Sequence, residues 1–77
     1  MPTAYILLCC DLGSENEILE AISQIAEVEE VNRVFGVYDI IVRLSSDNMD
    51  KLKDIITMKI RKLEKVRSVL TIIKSET

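Results

Sequence analysis

The stretch Val31-Asn32-Arg33-Val34-Phe35-Gly36-Val37-Tyr38-Asp39-Ile40-Ile41-Val42-Arg43-Leu44 constrains the chain most, because two runs of β-favouring residues meet at a glycine. Gly36 accepts the positive φ that the first central position of a two-residue type II′ turn requires, so Gly36-Val37 is the expected loop of a hairpin. That register pairs Phe35 with Tyr38 and Val34 with Asp39. It sets an aspartate beside the turn in a chain otherwise poor in reactive groups.

The flanking segments extend this unit. Tyr5-Ile6-Leu7-Leu8-Cys9-Cys10 is apolar at both parities, which predicts a first strand buried on both faces and central in its sheet. Asp11-Leu12-Gly13 breaks the run, and Ser14 with Glu17 reads as an S-x-x-E capping box opening a helix that reaches about Ala26. Ile18, Ile22 and Ile25, with Leu19 and Ala26 beside them, form its apolar stripe. Val28 to Val31 leads into the hairpin, whose second strand, Tyr38 to Leu44, carries Ile40, Val42 and Leu44 on one face and Ile41 on the other. Ser45-Ser46-Asp47-Asn48 supplies turn and N-cap residues. Met49, Leu52, Ile55, Ile56, Ile60 and Leu63 then trace a second amphipathic helix ending near Lys65. Val66 to Lys74 reads as a last strand, with Val69, Thr71 and Ile73 facing one way and Leu70 and Ile72 the other.

The order is βαββαβ, the split βαβ arrangement, in which right-handed crossovers lay both helices on one face of a four-stranded antiparallel sheet. Three of the strands offer apolar side chains to both faces, yet the helices cover only one. The uncovered face would expose an apolar patch of several hundred Å². Covering ~500 Å² per subunit at about 25 cal/mol per Å² is worth on the order of 12 kcal/mol before association entropy is subtracted, so an obligate dimer through the sheets is expected. A 77-residue chain is one domain, 1–77, and buries only ~60% of its unfolded surface, so self-pairing would also supply stability it lacks alone.

Composition narrows the function. With 48% hydrophobic and 30% charged residues the chain is a folded globular one, and its net charge of -3 opposes direct nucleic-acid binding. Six Lys and Arg lie between Lys51 and Lys65, but Asp50, Asp54 and Glu64 are interleaved with them, which reads as a solvated helix face rather than a phosphate-binding patch. The run Ala4 to Cys10 follows no basic segment and meets Asp11 at once, which fits neither a signal peptide nor a membrane span and points to the cytoplasm. The two adjacent cysteines suit a reducing compartment.

Little chemistry is on offer. The absence of histidine removes the commonest general base and metal ligand, so no catalytic residue, metal or cofactor is expected. Cys9 and Cys10, as neighbours on a strand, point to opposite faces and read as small buried hydrophobes or, for one of them, a redox group. Asp39 either accepts a turn backbone N–H or, with the backbone around Gly36, binds the ammonium group of a small polar ligand. Tyr38 either lines that ligand or packs on Phe35, and Met49 is either core filler or a ligand contact. An RNA-recognition module shares the element order, but Ile40-Ile41-Val42-Arg43-Leu44 stands where its stacking aromatics belong.

From Tyr5 to Ile73 the chain resembles the ligand-sensing RAM domain of the Lrp/AsnC (feast/famine) transcriptional regulators. The likeness is carried by Ile22-x-x-Ile25-x-x-Val28-x-x-Val31 followed by Gly36-Val37-Tyr38-Asp39, which looks like the family's helix, strand and G-x-Y/F-D turn. The tail Val66-Arg67-Ser68-Val69-Leu70-Thr71-Ile72-Ile73 looks like its final strand, with Lys65 where a Gly is usual and Val69 where a Thr is usual. The resemblance implies a ferredoxin-like α+β fold, sheet-to-sheet dimers of the α/β-barrel type that assemble further into octamers or decamers, and an amino-acid effector held between dimers. Gly36, Val37, Tyr38 and Asp39 would form the turn side of that pocket, with Met49, Thr71 and Ile72 contributing. Since only Met1-Pro2-Thr3 precedes the first strand, a stand-alone RAM protein without a helix-turn-helix is expected, binding an effector alone or co-assembling with full-length regulators. The leading expectation is thus a non-enzymatic effector-binding and oligomerisation module of transcriptional regulation. The alternatives are a small dimeric α/β-barrel enzyme of the monooxygenase or isomerase kind, needing an acid or base between the sheets, and an ACT-type amino-acid-binding domain with sheets side by side.

Overall fold

The computed structural model describes residues 1–74. The elements are β1 (Thr3–Cys10), α1 (Glu15–Ser23), β2 (Val28–Arg33), β3 (Ile40–Ser45), α2 (Met49–Ile55) continuing into a π-helical turn (Ile56–Ile60), and β4 (Val66–Lys74). The strands form one antiparallel sheet in the order β2-β3-β1-β4, so β1 is central and β2 and β4 are the edges. This is the expected ferredoxin-like α+β fold.

Strand parity decides which side chains the helices cover. Ala4, Ile6, Leu8 and Cys10 of β1 and Ile40, Val42 and Leu44 of β3 are buried, and they pack with Ile18 and Ile22 of α1 and Leu52, Ile55, Ile56 and Ile60 of the second helix. Val69 and Ile73 of β4 and Val28 and Val31 of β2 extend that core from the edges. The opposite parity, with Tyr5, Leu7, Cys9, Ile41, Leu70 and Ile72, is left to the open face.

Both helices are shorter than their apolar patterns. α1 stops at Ser23 instead of about Ala26, because Gln24 and Ile25 donate to Ala21 and Ile22 three residues back, tightening the end so that Glu27 can accept the Ser45 N–H at 3.2 Å. The capping box does not form. Ser14 occupies the N-cap but makes no side-chain cap bond, its N–H donates to the Asp11 carbonyl, and Glu17 instead pairs with Lys65 at 3.0 Å. The second helix ends at Ile60, not near Lys65. The N–H of Arg61 donates to Ile56 five residues back, and this wider turn lets the adjacent Ile55 and Ile56 both face the core with Ile60.

Candidate functional site

The turn between β2 and β3 is built on the expected register but is wider than expected. Arg33 pairs with Ile40, and the Val34 N–H donates to the Asp39 carbonyl at 2.9 Å, so Val34 and Asp39 do face each other. Strand pairing ends there, and residues 34–39 make an open loop rather than a two-residue turn. Gly36 holds a φ of +135°, a region closed to most side chains. Phe35 is 93% exposed, so its ring does not pack across the hairpin on the half-buried Tyr38.

The central strand, not a turn amide, holds the loop. Asp39 donates its N–H to the Leu8 carbonyl at 2.9 Å, and its Oδ2 accepts the Cys10 N–H at 3.0 Å. Cys9 donates its thiol to the Val37 carbonyl at 3.2 Å, and the Cys10 thiol lies 3.9 Å from Asp39 Oδ2. Both cysteines therefore brace the loop from opposite faces of β1. Burial first, then the negative charges of Asp39, Glu15 and Asp11, push the Cys10 thiol above its ordinary pKa, while Arg67 lies 3.8 Å from Asp11 at the same end of the sheet. One carboxylate oxygen of Asp39 is committed to Cys10, while no hydrogen bond among the described residues uses the other.

The remaining expected site residues lie apart within the chain. Gly36, Val37, Tyr38 and Asp39 cluster at the end of β3 where it begins. Met49 opens α2 beyond the other end, about 17 Å away by the rise of β3. Thr71 pairs with Ile6 on the helix side of edge strand β4, and Ile72 pairs with Tyr5 on the open face. A concavity of about 70 Å³, not foreseen, lies on the open face among Tyr5, Glu30, Asn32, Ile41 and Arg43. Its signal was present in β3, where a charged residue interrupts the outward parity after Ile41. Among the described residues no cluster of three His, Cys, Asp or Glu could hold a metal ion, and no helix is long and apolar enough to cross a membrane.

Comparisons with known proteins bear on this geometry. No curated protein matches the sequence. FFRP-DM1, a solved structure, is 37% identical over 97% of this chain and 100% of its own, with a TM-score of 0.93. The hypothetical protein PHS023 from Pyrococcus horikoshii is 36% identical over 100% of this chain and 93% of its own, with a TM-score of 0.95. The transcriptional regulator NMB0573 from Neisseria meningitidis, solved as a complex with L-Met, shares the fold at 12% identity, covering 97% of this chain but 50% of its own, with a TM-score of 0.83. The model of the Lrp/AsnC ligand binding domain matches residues 3–77, nearly the whole of this chain, and the chain belongs to the Lrp/AsnC ligand-binding domain family.

Proposed function

We propose that this domain binds a small amino-acid-class effector beside the Gly36-Val37-Tyr38-Asp39 loop and acts by assembly and binding rather than by catalysis. The observation that carries the reading is the family match over residues 3–77. The Asp39 carboxylate supports an ammonium-bearing ligand, with its uncommitted oxygen as the acceptor and the loop backbone as its neighbour. The L-Met complex of NMB0573 supports the ligand class for this fold.

The open face is paired with that of a second copy. Leu70 and Ile72 are 43% and 52% exposed there, beside Tyr5, Leu7 and Ile41. Met49, Thr71 and Ile72 are too far from the loop to join it within one chain, so they line the pocket only from a neighbouring copy. Further assembly into octamers or decamers, and with full-length Lrp/AsnC regulators in the cytoplasm, is the route to transcription. The 77 residues bind no DNA themselves, because their net charge is -3 and their basic side chains are paired or solvated.

A thermal-shift screen of the amino acids, followed by native mass spectrometry, tests the reading. A true effector at a hundredfold excess over its Kd should stabilise by about 2.7 kcal/mol, a shift of several degrees. If no amino acid moves the transition, the ligand class is wrong. Asp39→Asn is the informative variant, since its amide oxygen can still accept the Cys10 N–H while the charge is gone. Asp39→Ala would also strip that backbone group of its partner, at a cost of about 1–3 kcal/mol, and confuse binding with folding. Unchanged affinity in Asp39→Asn would dismiss the carboxylate.

A further inference from the structure

The open face is graded rather than uniform. Register aligns Glu30, Arg43, Tyr5 and Ile72 in one row across the four strands, and Asn32, Ile41, Leu7 and Leu70 in the next. Each row runs from polar on edge strand β2 to apolar on edge strand β4. Arg43 stands on the interior strand β3, with Nε 3.5 Å from Glu29 Oε1 and Nη2 3.7 Å from Glu30 Oε1. Both contacts exceed hydrogen-bond length, and no side-chain hydrogen bond ties Arg43, Glu29, Glu30, Asn32 or Tyr5 among the described residues. In a lone subunit water serves these groups. A covering partner removes that water, and a guanidinium left with such loose partners is costly to bury.

With the strands of the two sheets running nearly along one another, a two-fold pair of face-to-face sheets has two arrangements, and the gradient chooses between them. A dyad running along the strands sets β2 of one copy over β4 of the other, pressing the charged side of each face onto the apolar side of its partner. A dyad running across the strands sets like over like. Leu70 and Ile72 then meet their own counterparts, and the charged corner, which carries both signs, meets a copy of itself.

Resting on the sheet-to-sheet pairing proposed above, we infer that Glu29, Glu30 and Arg43 form the partner-selecting contact of the dimer, the Arg43 guanidinium of each copy being held by the carboxylates of the other. The contact fits a second copy of this chain. It rejects a related chain whose charges at these positions do not match.

Charge exchange in the complete chain tests this, with far-ultraviolet dichroism checking that each variant folds. Arg43→Glu alone, and Glu29→Arg with Glu30→Arg in one chain, should each weaken self-pairing at least about thirtyfold in sedimentation. Mixed together, the two variants should form heterodimers well above the statistical share in native mass spectra. The triple variant, with all three charges exchanged, should pair with itself and not with the wild type. Lys62→Glu, an exposed charge change away from the open face, should alter none of this. Wild-type self-affinity in Arg43→Glu, or statistical mixing, would overturn the inference. Leu70→Ser with Ile72→Ser tests the underlying pairing separately. If that variant stays dimeric the sheet interface itself is wrong, and if it dissociates while the charge variants do not, only the selection is.

Discussion

At Gly36 the backbone alone forbids a side chain. A Cβ there would meet nothing within 4 Å, yet the φ of +135° lies where an L residue is strained. Gly36→Ala should therefore cost about 1–3 kcal/mol in equilibrium denaturation, with no loss of packing to explain it. A variant as stable as the wild type would mean that the loop relaxes freely. Cys10 makes a second residue-scale statement. Its thiol is held above the ordinary value of 9.0 by burial and by the carboxylates around it. Below that value the thiol is protonated whether the chain is folded or not. As pH rises through it, the unfolded chain sheds the proton first, so stability should decline until the folded thiol also ionises. Urea midpoints at about pH 8 and about pH 10 should differ more for the wild type than for Cys10→Ala. Equal declines would remove Cys10 from the account.

At the scale of elements, the two helix starts look alike in sequence and behave differently. Asn48 takes extended backbone angles, and its Oδ1 accepts the Lys51 N–H at 2.8 Å. Ser14 has a ψ of 1°, outside the extended region that directs a cap side chain at the helix, and caps nothing. Asn48→Ala should cost about 1 kcal/mol and Ser14→Ala only a few tenths by loss of capping, measured by the same chemical denaturation. A Ser14→Ala variant as damaging as Asn48→Ala would restore the capping box. This pair also shows what the chain made legible and what it did not. The hairpin register, the alternation of β3 and β4 and the existence of both helices were readable, because they rest on periodicities repeated over many residues, whereas β1, apolar at both parities, did not show which of its faces the helices cover. Where α1 and the second helix stop was not, since Ile25 and Leu63 keep the helical spacing after the bonding has tightened to three residues back, and the bond that Glu27 accepts from Ser45 is a tertiary one with no local trace. The candidate site divides similarly. Residues 36–39 adjoin in sequence and so share a place, but Asp39's attachment to Cys10 spans 29 positions and leaves no local trace.

At the scale of the whole molecule, degree of exposure and role part company. Phe35 and Val37 are 93% and 85% exposed at the tip of the loop, against 43% and 52% for Leu70 and Ile72 on the sheet. A ranking by exposure would put Leu12, at 98%, and the loop tip ahead of the sheet face as a contact surface. Continuity argues otherwise: Leu70 and Ile72 flank Leu7 and Tyr5 in register and belong to a face four strands wide, whereas Phe35 and Val37 lie in a short loop where strand pairing has ended. Serine at Leu70 and Ile72 should therefore yield monomer, or unfolded chain, at low micromolar concentration in sedimentation, and should make the melting temperature insensitive to protein concentration. Serine at Phe35 and Val37 should leave the dimer and its concentration dependence intact, and should remove only species larger than the dimer. Were the tip variant to dissociate while the sheet variant stayed paired, the open face would be an ordinary wet surface, and the proposed assembly, with its proposed effector pocket, would have to be rebuilt around the loop.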